Sequence, residues 1–317
     1  MKSRKVLLVA DVKDWAYDFI ARSIYTNFRK YEAEIVYFKD LIEKRERVDA
    51  TDYDVIFAFF WYDMFCRGYL IDNLDLDKVC VGVHSHNSWL KRGISIEEVD
   101  NILSNFPATG FISKKLMDKF PMVKGSFLTP TGYNPRYFSP SPLPPFLGKL
   151  RVCWAGDPDQ SHHGGIKGFY DFIQPVVEEF EEIELVTTTK SDPIKYSMMG
   201  NFYSSGHIYV NMSSNEGSPM PVLESMACGR PVISTNVGIV PEILDQDSGW
   251  IINRTKNGLR NSLKSALDNL DGLQEMGIRA YKNVEERVGD WSAMHYEKMF
   301  DYVYNQSRNS QSSNFQQ

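Results

Sequence analysis

Hydrophobic positions in the first part of the chain fall into short uninterrupted runs, which alternate with segments of helical spacing. The runs at residues 5–10 and 55–60 consist almost only of Val, Leu, Ile, Phe and Ala. A strand buried on both faces has this pattern, because no polar residue alternates with the apolar ones. Residues 14–31 instead repeat their apolar side chains at helical spacing. We therefore predict a parallel sheet covered by helices, with strands at 5–10, 34–38, 55–60, 79–84 and 108–113.

Residues 130–149 interrupt this pattern with six prolines, which fit neither a helix nor a central strand. The alternation then restarts, so we predict a linker between two Rossmann-like domains, 1–138 and 139–290. Ligands of such sheets bind at the carboxyl ends of the strands, and we expect the two domains to face each other across a cleft. The polar tail at 305–317 is predicted to be disordered. The second domain is predicted to hold strands at 150–156, 183–189, 207–212 and 231–236, and helices at 168–180, 221–228 and 256–270, with a last helix at 291–304.

Charge and composition exclude several classes of protein. The chain carries 35 Lys and Arg against 41 Asp and Glu, a net charge of −6. Nucleic-acid binding is not expected, because it usually requires a basic surplus. The first apolar run is too short for a signal peptide, and residues 55–62 are too short to span a membrane. We expect a cytoplasmic protein, at most weakly peripheral to a membrane, whose four cysteines are free thiols.

The strongest chemical signal lies at residues 213–244, where seven residues separate Glu216 from Glu224. This spacing suggests a strand, a tight loop and a helix whose first amides and dipole bind phosphate. Glu224 would then reach a ribose diol, and Glu216 the hydroxyls of a sugar. The alternative is that both carboxylates are solvent-facing ends of a helix. The predicted donor-binding residues are Gly217, Ser218, Pro219, Met220, Pro221 and Glu224.

This segment resembles the Glu-x7-Glu signature of the family-four retaining glycosyltransferases, also described as glycosyl transferases group 1. The resemblance extends over roughly residues 130–304 and is weaker before them. It implies the GT-B fold, with two Rossmann-like domains and a last helix at 291–304 that returns to the first. The matching residues of the signature are Glu216, Gly217, Glu224, Ala227, Gly229, Pro231, Val232 and Ile233.

The resemblance also implies an activity, which is retaining transfer of a hexose from a nucleoside-diphosphate sugar to an acceptor hydroxyl. Lys167 would neutralise the departing diphosphate, and Glu216 would bind the donor sugar. His84 follows a predicted strand, where a neutral imidazole could bind a sugar hydroxyl or manage the acceptor proton. His86 is the alternative to His84, and either could be a structural histidine. The alternative for Lys167 is a surface residue at a helix start.

Three departures from the family pattern keep other functions open. Asp157 stands where the family usually has a basic residue, residues 10–13 lack the Gly-rich loop, and only Gly238 remains of a Gly-Gly pair. The alternatives are therefore a non-catalytic sugar-nucleotide-binding subunit of GT-B fold and a GT-B sugar-nucleotide epimerase. The expected partners are a nucleotide sugar and an acceptor whose identity stays open, such as a saccharide, a lipid-linked glycan or another hydroxyl compound.

No metal or other cofactor is predicted. Asp157 and Asp159 form an Asp-x-Asp sequence close to His162 and His163, which invites a metal-site interpretation. A Pro-Asp loop is more often a turn, and the GT-B resemblance implies chemistry that needs no metal.

Overall fold

The chain folds into two compact units, Met1–Thr131 with Trp291–Gln317 and Gly132–Asp290. The structure is a computed structural model, which describes residues 4–14, 16–67, 70–85, 89, 92–158, 165–290 and 293–314. Each unit is built around its own parallel sheet, as the runs of apolar residues predicted.

The first unit contains a six-stranded sheet in the order β2-β1-β3-β4-β5-β6. Its inner strands are buried along nearly their whole length, which explains why they read as continuous Val, Ile and Phe runs. Successive side chains of β1 pack into different cores, with Leu7 and Val9 on one face and Val6 and Leu8 on the other. The strands are β1 (Arg4–Ala10), β2 (Tyr31–Tyr37), β3 (Val55–Ala58), β4 (Val79–Val83), β5 (Ala108–Phe111) and β6 (Ser126–Leu128). The helices are α1 (Ala16–Asn27), α2 (Phe38–Ile42), α3 (Trp61–Arg67), α4 (Ile96–Leu103) and α5 (Lys114–Met117).

The second unit contains a five-stranded parallel sheet in the order β11-β10-β9-β7-β8. Its edge strand β11 was not predicted, because four residues give too little pattern to separate a strand from a loop. The predicted helix at 168–180 is a π-helical turn, Phe169–Ile173, followed by a short α-helix. The strands are β7 (Leu150–Gly156), β8 (Ile183–Thr189), β9 (Ile208–Asn211), β10 (Val232–Thr235) and β11 (Gly249–Ile252). The helices are α6 (Gln174–Val177), α7 (Met199–Ser204), α8 (Met220–Ala227), α9 (Val240–Ile243), α10 (Lys256–Asp268) and α11 (Leu273–Arg287).

The last helix, α12 (Ala293–Asn314), packs on the sheet of the first unit. Its buried side chains follow the spacing i, i+3, i+4, i+7 and join the core that contains Val6 and Leu8. Asp301 fastens this helix further, since Arg4 donates to it at 3.0 Å and Tyr31 at 2.8 Å. The buried side chains are Tyr296, Met299, Phe300 and Val303.

Helix α12 also corrects the prediction of a disordered tail at 305–317. The helix continues to Asn314, so the prediction is wrong for residues 305–314, and residues 315–317 lie outside the described chain. These residues are almost entirely polar, so they show no apolar spacing from which a helix could be predicted. Its anchoring comes from the preceding turns, where residues far away in sequence supply the contacts.

The predicted linker is packed against the second unit, which moves the boundary from residue 138 to Thr131. Tyr133 and Phe138 are buried in the core of that unit. Arg230 is only 1% exposed and holds the segment in place, donating to the carbonyl oxygen of Ser141 at 2.7 Å and that of Pro142 at 3.1 Å. Prolines exclude regular structure from such a segment but do not prevent it from packing.

Within the described residues, no helix has both the length and the apolar character needed to cross a membrane. The cysteines carry free thiols, as predicted.

Candidate functional site

The loop that follows β9 carries Glu216 and is held from two sides. The Thr235 hydroxyl at the end of β10 donates to the carbonyl oxygen of Ser213 at 2.6 Å. The Ile239 amide donates to the carbonyl oxygen of Gly217 at 2.9 Å. Gly238 makes the second approach possible, because its φ is +49° and a Cβ atom there would lie 2.0 Å from that same carbonyl oxygen. A side-chain hydroxyl of β10 and a backbone amide of the following turn therefore set the path of the loop.

Two of the predicted catalytic residues meet at this loop. Lys167 Nζ lies 2.5 Å from Glu216 Oε1, and the Ser213 hydroxyl oxygen lies 2.8 Å from the same carboxylate oxygen. The two side chains retain 29% and 16% of their exposure. The result is a partly exposed site with a cation and a carboxylate in contact. A phosphate that reached Lys167 would replace Glu216 as its partner, leaving that carboxylate to hydroxyl groups.

Arg254, which the sequence analysis did not single out, anchors the turn that precedes Lys167. Its Nη2 donates to the carbonyl oxygen of Gly165 at 2.5 Å, and its Nε donates to that of Met212 at 2.8 Å. The guanidinium also lies over the ring of Phe172, 4.6 Å from its centroid. Arg254 thus ties together the Lys167 turn and the end of β9. No local sequence signal could reveal this, since Gly165 lies 89 residues away.

The start of helix α8 offers fewer phosphate donors than predicted. Pro219 and Pro221 flank Met220, the first residue of the helix, and neither proline has an N–H group. The Val222 amide already donates to the carbonyl oxygen of Pro219. Ser218 contributes a buried hydroxyl that has no hydrogen-bond partner among the described residues. The helix start therefore has one early amide, not several, and a neighbouring unpaired hydroxyl.

Glu224 lies where the sequence placed it along the helix, and its carboxyl group is covered by neighbouring side chains. The residue is only 4% exposed, and the Tyr203 hydroxyl donates to its Oε2 at 2.9 Å. The Tyr196 hydroxyl also hydrogen-bonds to Glu224. Burial raises the pKa of Glu224 to about 8, although both tyrosines favour the ionised form. The interpretation of both carboxylates as solvent-facing helix ends is therefore wrong for Glu224.

The raised pKa of Glu224 predicts an unusual dependence of stability on pH. In the folded chain this carboxyl group keeps its proton up to about pH 8, whereas in the unfolded chain it ionises near pH 4.5. The unfolded state therefore binds fewer protons between these values, so this group makes folding less favourable as the pH rises. Glu224→Gln stays neutral and should gain on the order of 3 kcal/mol relative to the wild type between pH 4.5 and 8.5.

Urea denaturation of both proteins at pH 5 and pH 8.5 would measure this difference. The exposed Glu286→Gln is the matched control, because it removes a carboxylate from the same unit without removing a buried one. A constant difference between Glu224→Gln and the wild type at both pH values would contradict the prediction.

His84 lies in the first unit, directly after β4, inside an aromatic cage. Its ring centroid is 4.8 Å from that of Tyr17 and 5.6 Å from that of Phe59. Burial lowers the pKa of His84 to about 3, which favours the neutral imidazole at physiological pH. Neither ring nitrogen has a hydrogen-bond partner among the described residues. Gly82 makes room for the ring, because a Cβ atom there would lie 2.3 Å from His84 Nε2. His86 lies outside the described residues.

Asp11, which directly follows β1, is a second polar residue near the same cage. Its Oδ1 is buried and has no hydrogen-bond partner within the described chain. Burial raises the pKa of the Asp11 carboxyl group, and the charge of this group in turn helps to raise the pKa of Tyr17 in the cage. Residues 10–13 were noted only for lacking the Gly-rich loop, so the sequence analysis missed this carboxyl group as a site residue.

Other residues considered for chemistry lie elsewhere. Asp157 lies 3.8 Å from Lys190, so the acidic replacement has a basic neighbour. Asp159, His162 and His163 lie outside the residues that the structure describes. Among the residues that it does describe, no group of three or more His, Cys, Asp or Glu side chains could hold a metal ion.

Two α/β units, each built around a sheet of parallel strands, define the GT-B class of fold when the last helix packs on the sheet of the first unit. Sucrose-phosphate synthase from Thermosynechococcus elongatus shares this fold with a TM-score of 0.67, at 13% identity over 98% of this chain and 100% of that chain. HepE from Anabaena, solved in complex with UDP-glucose, gives a TM-score of 0.63, at 13% identity over 98% of this chain and 99% of that chain. The predicted fold class is thereby confirmed.

Sequence comparison supports the same class. Residues 172–269, which include Glu216 and Glu224, match the family model described as Glycosyl transferases group 1. One component of human phosphatidylinositol N-acetylglucosaminyltransferase is 27% identical over 112 residues, covering 35% of this chain and 23% of the human protein. The chain matches between 20% and 30% of the length of its curated relatives. The predicted resemblance to this group is confirmed for residues 172–269, which lie in the second unit.

Proposed function

We propose that this chain is a glycosyltransferase that transfers a hexose from a nucleoside-diphosphate sugar to an acceptor hydroxyl, with retention of the anomeric configuration. The observation that carries the proposal is the contact between Lys167 and Glu216, whose loop is held by hydrogen bonds from Thr235 and Ile239. A cation for the diphosphate and a carboxylate for sugar hydroxyls are the two groups that such a donor needs at its reacting end. The UDP-glucose complex of HepE and the glycosyltransferase names of the relatives agree with this donor class.

In this proposal, Lys167 stabilises the charge that develops on the diphosphate as the bond to the sugar breaks. Glu216, released from Lys167, accepts hydrogen bonds from hydroxyls of the donor sugar. Glu224 binds the ribose once its tyrosine contacts have opened. His84 supplies an unpaired neutral imidazole nitrogen, which is buried and can accept a hydrogen bond from an acceptor hydroxyl only once its cover opens. The acceptor is a hydroxyl compound, and glycoconjugate synthesis is the setting that the names of the relatives favour.

A non-catalytic sugar-nucleotide-binding subunit is the second candidate. It is favoured by Asp157, which lies near Lys190 where the family resemblance implies a basic residue, and by the closed position of Glu224. A thermal-shift screen against UDP-, GDP- and ADP-sugars tests donor binding in both cases, because a donor at 100 times its dissociation constant adds about 2.7 kcal/mol of stability. Slow hydrolysis of the bound donor separates the enzyme from the binding protein, which would bind without releasing sugar.

We expect the product to keep the anomeric configuration of the donor. The motive is the Glu-x7-Glu signature, in which Glu216 and Glu224 match the retaining family. Proton NMR of the new glycosidic linkage, recorded before spontaneous anomerisation of any released sugar, measures the configuration directly. An inverted linkage would refute the retaining mechanism while leaving the nucleotide-sugar donor in place.

A further inference from the structure

Glu224 is closed by two tyrosines that differ in how firmly they are held. Tyr203 is fully buried on helix α7 and belongs to the core of the second unit. Tyr196 is only partly buried and lies on a single 3-10 turn, Tyr196–Met198. Residues 190–195 before this turn are mainly exposed. Tyr196 packs at the edge of the core that encloses Tyr203, so moving Tyr196 away from Glu224 disturbs less of that core than moving Tyr203 would.

The proposed function brings a competing group to this carboxyl. A nucleoside diphosphate carries a ribose with two neighbouring hydroxyls, each able to donate a hydrogen bond to Glu224. The Tyr196 hydroxyl now occupies this carboxyl group, and Tyr196 is the less buried of the two tyrosines. A buried carboxyl group that lost this partner without replacement would be destabilised, since unpaired buried polar groups are costly. Opening is therefore favourable only when a ligand supplies hydroxyl groups in exchange.

We infer that Tyr196 closes Glu224 before the donor binds and that the ribose diol replaces its hydroxyl there, which makes Tyr196 a residue that determines donor affinity and selectivity for ribose. This inference rests on the proposed function. Tyr203 keeps its hydrogen bond in both states and positions the carboxyl group. A nucleotide without these hydroxyls has nothing to exchange, so it leaves Tyr196 in place.

Tyr196→Phe tests the inference, because it removes the competing hydroxyl and keeps the ring that packs against Tyr137 and Phe138. Calorimetry with UDP, GDP and ADP, each beside its 2′,3′-dideoxy counterpart, gives the affinities. We expect the ribonucleotide that binds the wild type to bind Tyr196→Phe about 3–10-fold more tightly. In this variant, uncovering Glu224 no longer breaks a hydrogen bond. The dideoxy counterpart should bind both proteins equally. Tyr203→Phe, the matched control, should show no gain in affinity.

An equal gain for both nucleotides, an unchanged affinity or a weaker one would overturn the inference. Hydrogen exchange can be measured on the wild-type protein alone, so its result does not depend on whether a variant folds. Peptides that contain Tyr196–Met198 should exchange faster when the ribonucleotide is bound, and unchanged exchange would also overturn the inference. If none of the three diphosphates binds the wild type, the proposed function fails as well, so the two failures are distinguishable.

Discussion

Lys167→Ala is expected to lower turnover on the order of 10²-fold, which corresponds to a barrier about 2.7 kcal/mol higher. Negative charge gathers on the diphosphate as it leaves, and Lys167 is the cation placed beside the sugar-binding carboxylate. Its side chain is only 29% exposed, so its interaction with the phosphate is screened less than on an open surface. The loss should fall mainly on turnover and less on donor affinity, because the charge it meets is largest in the transition state.

Lys167→Arg should recover only part of the turnover, since a planar guanidinium does not replace a compact ammonium group. Steady-state kinetics measures turnover, and calorimetry measures donor affinity. Lys264→Ala is the matched control, because Lys264 is an exposed lysine on helix α10 of the same unit. Near-native turnover of a folded Lys167→Ala would mean that another cation serves the diphosphate.

The structure indicates which cation could serve the diphosphate in place of Lys167. Arg230 directly follows the Glu224 helix and its loop, but its guanidinium is buried and donates to the carbonyl oxygens of Cys228 and Gly206 as well as to those of Ser141 and Pro142. Arg254 is the better candidate, because it is partly exposed and already contacts the turn that leads to Lys167.

Gly238→Ala is expected to lower the free energy of unfolding by roughly 3 kcal/mol or more and to abolish measurable donor binding. The new Cβ atom would lie 2.0 Å from the carbonyl oxygen of Gly217 and 2.8 Å from that of Glu216. Both obstacles are backbone atoms, so no side-chain rotation can relieve the overlap. The loop that carries Glu216 must move, and the hydrogen bond from Ile239 to Gly217 must break.

Gly148→Ala is the matched control, which distinguishes the steric overlap of a Cβ atom at position 238 from the cost of placing alanine at a positive φ. Gly148 also has a positive φ, of +85°, but no atom lies within 4 Å of the position its Cβ would take. Its substitution should cost only about 1–2 kcal/mol, the ordinary penalty of a left-handed conformation. Urea denaturation gives both free energies, and calorimetry with the donor gives binding. Equal losses in the two variants would show that the Gly217 contact does not hold the loop.

Some features of this protein followed from residues that are neighbours in the chain. The strands β1, β3 and β4 could be predicted because burial on both faces requires every residue of a run to be apolar. The segment from Glu216 to β10 could be predicted because its loop, helix and strand follow one another directly. The alternation of strands and helices restarts after residue 149, and this restart likewise predicted two folded units.

Other features depend on residues that only folding brings together. Glu224 is closed by Tyr203, 21 positions away, so its spacing from Glu216 could not show that it is buried. The final helix is fastened by Arg4, 297 positions away, so its polar end looked disordered. Short-range spacing determines which face of an element is apolar. Whether a polar side chain reaches solvent depends on what covers it, and here the tertiary structure decided that for Glu224, Arg230 and His84.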